Sequence, residues 1–280
     1  MKKIISAFIA ISFFTLTPFY CVQAQTAKDS LIFKKMMNQL SGNKNTTTSQ
    51  RVVEAAKMLI GTPYVAGTLE QIPERPVINL HQTDCILFAE TCLALAIIAA
   101  SEDTSFANFA TIIQALRYRN GIVEGYTSRL HYTSEWILQG EKNKFVKEIS
   151  KEIANTPREQ QFSFMSTHPQ SYKQLSENKE EIEKMQQIEQ KLGKNQYFYI
   201  PKERIAACSS KIKPGDIIGF VTSVAGLDMT HVGIAYKNNG KLTFIHASMN
   251  GKAVMIEPGS LPEYTNKIKS NIGLRIIRPL

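Results

Sequence analysis

The chain has 280 residues, 43% of them hydrophobic, with 33 basic against 24 acidic side chains and a net charge of +9. With that apolar content a core can form without metal or disulfide support. The basic balance suits acidic wall polymers or membrane surfaces better than nucleic acid, and no nucleic-acid partner is expected.

Taken in chain order, residues 1–25 read MKKIISAFIAISFFTLTPFYCVQAQ. Two lysines precede an apolar run from Ile4 to about Tyr20, and Val22-Gln23-Ala24 supplies small residues where a signal peptidase reads. This predicts a secretory signal peptide at 1–24, cleaved after Ala24, and an exported, periplasmic mature chain. The run is short and broken by Pro18, so no stable membrane insertion is expected. Cys21 follows Phe19 and Tyr20, where a lipoprotein signal carries small residues. Residues 25–280 are expected to form one domain.

A short helix is predicted at about 30–40, then a polar loop, SGNKNTTTSQ. RVVEAAKMLIGTPY has apolar residues at helical spacing and stops at Gly61 and Pro63. Residues 61–84 read as a structured loop. A strong helix is predicted over 84–100, with Ile86, Ala89, Leu93, Ala96 and Ile97 on one face, and a third over 104–117. Residues 118–195 are less regular and read as an insertion between core segments at about 50–117 and 196–280; a charged helix is expected there at 169–192. The pattern then changes to strands: QYFYI, DIIGFVTS, THVGIAYK, KLTFIHAS, AVMIEP and LRIIRP, separated by turn signals such as KNNGK. Helices first and strands afterwards predict an α+β fold with an antiparallel sheet.

Of the cysteines beyond the leader, Cys85 and Cys92 would lie about 10.5 Å apart along a helix, too far to pair. Cys208 leaves an odd count, so at least one thiol stays free. Neither Cys-x-x-Cys nor His-x-x-x-His occurs, and no metal site is expected.

Cys85 falls in the first turn of its helix, with Asp84 or Thr83 placed to cap it. A helix N-terminus favours thiolate, so this position suits a nucleophile, whereas Cys92 sits in the helix interior as a packing residue would. A nucleophilic thiol needs a base. His231 begins one predicted strand and His246 ends the next across the KNNGK turn. An antiparallel hairpin would make them neighbours, as a base and the group that orients it.

GTPYVAGTLE, TDCILFAE, KPGDIIGF, THVGIAY and FIHAS, in that order, resemble the NlpC-type cysteine amidases and peptidases of bacterial cell walls, which have papain-like folds. With RLHYTSEW and NLHQTDC the likeness is closest to the N-acetylmuramoyl-L-alanine amidase-like group of Bacteroidetes, over roughly residues 50–278. The resemblance implies a papain-like α+β fold, with the cysteine-bearing helix packed on the sheet. It implies Cys85 as nucleophile, His231 as base, His246 as third polar residue and Tyr64 near the oxyanion. Asp84 is implied to help hold substrate. No cofactor is implied, and the implied partners are peptidoglycan fragments.

The segment before His231 is longer than a minimal domain of this kind requires, and RLHYTSEW is expected to wall the cleft. Arg129 and His131 are expected to meet a substrate carboxylate or lactyl oxygen. Trp136 is expected either to stack on a sugar face or to pack in the core. Asp228 and Thr230 are placed on a loop at the cleft mouth. One departure matters: relatives in the wider superfamily carry Trp-Gly-Gly after GTPY and Cys-Ser-Gly at the nucleophile, where this chain has Val-Ala-Gly and Cys-Ile-Leu. The expected reaction is hydrolysis of the bond between N-acetylmuramic acid and L-alanine. A γ-D-glutamyl–diamino-acid endopeptidase and a non-catalytic peptidoglycan-binding module are the alternatives.

Overall fold

The structure, a computed structural model, describes residues 27–42 and 45–280; the expected leader and its cleavage point lie outside them. Helices α1 (Ala27–Leu40), α2 (Thr48–Met58), α3 (Cys85–Ala99) and α4 (Phe106–Arg117) come first. The middle of the chain holds α5 (Thr133–Lys142), β1 (Val146–Glu148), α6 (Ser150–Ala154), β2 (Thr156–Arg158), α7 (Phe164–Thr167) and α8 (Lys179–Leu192). There follow β3 (Tyr197–Pro201), α9 (Ile205–Cys208), β4 (Ile217–Thr222), β5 (Met229–Asn238), β6 (Lys241–Ser248), β7 (Ala253–Ile256), α10 (Leu261–Lys267) and β8 (Asn271–Pro279).

The fold is mixed α+β around one antiparallel sheet of order β2-β3-β8-β4-β5-β6-β7, with β1 also pairing β8. The segment 118–195 joins the main sheet: β1 and β2 are edge strands on β8 and β3. Its charged helix starts at Lys179 rather than near 169, where Asn178 caps it by accepting from the Glu181 amide. α1, placed before the expected core, buries Phe33, Met36, Met37 and Leu40 in that core.

α3 runs through the middle of this core, touching α1, α2, α4, β5 and β6. A single apolar face was expected of it. Instead Leu87 to Ala96 are all buried, because helices and sheet enclose it on every side. Glu90 is buried with them, and Arg117 of α4 neutralises it at 2.8 Å while donating to the Val77 carbonyl. Cys92 lies in this core and Cys208 in a second one across the sheet; both are free thiols.

Two local features aim the hairpin that carries the histidines. Asn239 and Gly240 both have positive φ, as a two-residue type I′ turn demands, and they set the pair Asn238↔Lys241. The ladder then runs to Ile234↔Ile245 and no further. Beyond that pair β5 and β6 no longer match, and the N-terminus of α3 approaches the freed edge.

Candidate active site

Asp84 is the N-cap of α3, its carboxylate accepting from the amides of Ile86 and Leu87 at 3.1 and 2.9 Å. This places Cys85 at the first helical position, half-buried. The loop before it is stitched down by a parallel bridge between Tyr64 and Thr83 and an antiparallel one between Pro63 and Ala253 of β7. The amides of Val232, Cys85 and Ile86 lie near the Cys85 sulfur and favour its charged form. Val232 is two residues beyond the last β5–β6 pair, so the thiol sits beside the part of β5 that β6 no longer pairs.

His231 Nε2 lies 2.7 Å from His246 Nδ1. The two are not directly opposite: continuing the register puts His246 across from Gly233, so the contact is diagonal. The rings of Phe220, Phe244 and Tyr264 enclose the pair, with Phe244 4.6 Å from His246 and Phe220 5.5 Å from His231. That bond occupies one nitrogen of His231 and leaves Nδ1 for another partner. Behind His246, Glu257 Oε2 stands 3.6 Å from Nε2.

Burial dominates the titration of the site. The Cys85 thiol is pushed up to about 12, first by burial and then by the Asp84 charge, with the three amides opposing. His231 is pushed down to about 3 by burial and by His246, and His246 down to about 4 by burial. The resting pair is thus neutral thiol and neutral imidazole. Against the thiolate expected from the helix N-terminus stand burial first and then the Asp84 charge, which together outweigh the amides. Tyr64 lies close enough for the Cys85 and Asp84 charges to raise its phenol further, after burial.

A cavity of about 260 Å³ brings together Asp84, Cys85, Arg129, His131, Trp136, Thr230 and His231. Tyr64, His246 and Asp228 stand outside its lining. A larger groove of about 890 Å³, walled by Glu135 and Lys142 of α5 and Lys184 of α8, has no thiol or imidazole on its walls. Among the described residues no cluster of three or more His, Cys, Asp or Glu side chains could hold a metal.

The model of the AmiA-like, N-acetylmuramoyl-L-alanine amidase-like, family matches residues 54–273. The chain belongs to the AmiA-like family. An N-acetylmuramoyl-L-alanine amidase from Bacteroides uniformis is 36% identical, with a TM-score of 0.80 over 83% of this chain and 99% of that one. A putative xylanase from Bacteroides fragilis is 34% identical, with a TM-score of 0.77 over 81% and 99%. Protein LPG0564 from Legionella pneumophila shares the fold, at 22% identity and a TM-score of 0.68 over 90% and 95%. No match was found among curated protein sequences.

Several side chains of this AmiA-like protein do other work than expected. Of the two readings of Trp136, core packing is the one seen: it is 2% exposed within the main core and offers no open face for stacking on a sugar, and its indole N–H is buried without a hydrogen-bond partner. Asp228 is not at the cleft mouth: it is buried, accepting from the amide of Ser134 at 2.6 Å, and so ties β5 to α5. Thr230 is on β5 rather than a loop, exposed at the cavity. Arg129 is buried with its charge already countered by Glu70 at 2.8 Å and Glu74 at 3.6 Å. His131 bonds the Tyr126 carbonyl at 2.9 Å, and burial and Arg129 push it down to about 3, which favours a neutral ring. Glu257 and Glu70 were missed altogether. The sequence clue to Glu257 is that it follows the strand paired with the one carrying His246.

Proposed function

We propose that this protein is a cysteine hydrolase of the NlpC, papain-like type, cutting the amide between N-acetylmuramic acid and L-alanine in soluble peptidoglycan fragments. The observation that carries this reading is Cys85 and His231 on one cavity, with His246 bonded to the far nitrogen of His231. Membership of an amidase-like family supports it, as does a 36% identical relative named as that amidase. The exported, periplasmic location and the division into leader and single catalytic domain are part of the same proposal.

In the proposed reaction His231 Nδ1 takes the Cys85 proton as the sulfur attacks the amide carbonyl. The neutral resting pair makes this general-base attack by a thiol rather than attack by a standing thiolate. The Cys85 amide at the helix N-terminus, with the Tyr64 phenol nearby, would face the oxyanion. His231 then protonates the leaving L-alanine amine, and water enters to cleave the thioester. On the acyl side, Arg129 and the unpartnered Trp136 N–H are donors suited to lactyl and acetamido oxygens. An exposed aromatic platform no longer supports the sugar reading; the donor-rich cavity wall takes its place.

The test is to incubate the protein with a muramyl-peptide and, separately, with the same peptide lacking the sugar. Release of a free peptide beginning with L-alanine, from the muramyl-peptide alone, is expected by mass spectrometry. Cleavage of the sugar-free peptide after γ-D-glutamate, with the sugar–alanine bond intact, would establish the endopeptidase instead.

A further inference from the structure

We infer that Glu257 is a positioning residue for this site: its carboxylate decides which way the proton between His246 and His231 points. The inference rests on the cysteine-hydrolase reading above.

Two imidazoles joined by one N–H···N bond have no intrinsic direction. Either His231 Nε2–H donates to His246 Nδ1, or His246 Nδ1–H donates to His231 Nε2. In the first arrangement His231 keeps a lone pair on Nδ1 and can take a thiol proton. In the second, neutral His231 carries its proton on Nδ1 and is useless as a base. The choice is set by whatever stands at the other nitrogen of His246.

What stands there is Glu257. Its Oε2 is 3.6 Å from His246 Nε2, on a ring only 2% exposed, and Nε2 has no hydrogen-bond partner. At that distance the contact acts through charge rather than as a hydrogen bond. A carboxylate accepts and does not donate, so it favours the proton on His246 Nε2. His246 Nδ1 is then an acceptor, and His231 must donate from Nε2. The carboxylate is held for this role. The Glu257 amide donates to the Phe244 carbonyl at 2.9 Å, Thr243 Oγ1 donates to the Glu257 carbonyl at 2.6 Å, and the Gly259 amide donates to Oε1 at 3.2 Å. Oε2 is left for the histidine.

Proton accounting is closed. The thiol proton moves to His231 Nδ1 as the C–S bond forms, and passes to the departing amine as the C–N bond breaks. The protons on the two Nε2 atoms stay where they are, and Glu257 gains none. Its charge also steadies the imidazolium that His231 becomes.

The test uses the full chain with Glu257→Gln, alone and combined with His246→Asn. Glutamine keeps the shape and the Gly259 contact but can donate as well as accept, so direction is lost. In ¹⁵N-histidine spectra of the unliganded protein, the wild type is expected to show protonated Nε2 on both rings, and Glu257→Gln a mixture. With muramyl-peptide, kcat is expected to fall roughly tenfold or more with KM unchanged, as outer-partner substitutions typically do. In the His246→Asn background the same change should have no further effect, because asparagine fixes its own direction. An unchanged tautomer pattern, an unchanged kcat, or an equal loss in the His246→Asn background would overturn the inference. If wild-type protein releases nothing, or Cys85→Ala still cleaves, it is the hydrolase reading that fails; the ¹⁵N spectra still decide the Glu257 inference.

Discussion

The three cysteines among the described residues occupy different environments, and Cys85 is the one on the wall of the cavity of about 260 Å³. Cys85 sits at the start of α3 under three amides, Cys92 is fully buried in the same helix, and Cys208 is buried across the sheet. Replacing Cys85 by Ala should abolish turnover with little change in melting temperature. Replacing Cys92 by Ala should leave kcat within about twofold, while removing buried volume costs on the order of 1 kcal/mol. Activity assays beside thermal melts check this, and equal activity loss in both variants would remove Cys85 from its role. At this scale the sequence is most legible where position alone carries meaning. An acid, then a cysteine, then an apolar run marks a capped helix start, and the cap formed as expected with Asp84. It is least legible where burial decides. Trp136 and Asp228 stand in polar stretches of sequence, but side-chain exposure depends on what the rest of the chain packs over them. The resting protonation of Cys85 has the same cause: local dipole favours the thiolate, and desolvation with the Asp84 charge outweighs it.

Among the elements, the long helices and the strands from β3 onward could be read from periodicity, because each carries enough residues to show a period. β1 and β2 have three residues apiece, too few to reveal alternation, and their pairing with β8 and β3 is a tertiary fact. α5 was hidden for another reason: TSEWILQGEK has no side-chain cap and is held by Asp228, just ahead of β5, instead. The join between α3 and α4 is electrostatic. Arg117 both neutralises Glu90 and donates to the Val77 carbonyl, so it fastens the loop leading to Cys85 as well. Arg117→Met should leave Glu90 charged and unpaired in the core and destabilise the fold by about 3–5 kcal/mol, the usual cost of breaking a buried pair. The double variant Arg117→Met, Glu90→Leu should recover much of that loss in denaturant unfolding. No recovery would show that the Val77 tie, and not the buried charge, is what matters.

For the whole molecule, burial of neutral histidines sets an acid limit. His131, His231 and His246 have values pushed down to about 3, about 3 and about 4. In the unfolded chain each titrates near about 6.5, so below that pH the unfolded state takes up protons that the folded state refuses. Stability is therefore full above about pH 6.5 and falls as the pH drops toward the folded values, by at most about 1.4 kcal/mol per pH unit for each ring. Asp84, Glu74 and Glu90 are raised by burial and act in the opposite sense at the lower end of this range. Substituting His131 by Gln should flatten the fall in melting temperature between pH 7 and 4; a curve parallel to the wild type would contradict a neutral buried His131. The sheet order has a consequence for synthesis. β8, the last strand of the chain, lies between β4 on one side and β1 and β3 on the other. Until residues 271–279 emerge, β4 has no neighbour on that side, β1 has nothing to pair with, and the β2–β3 pair has no sheet to join. The central sheet therefore cannot close until β8, made after every other described strand, docks between its two halves.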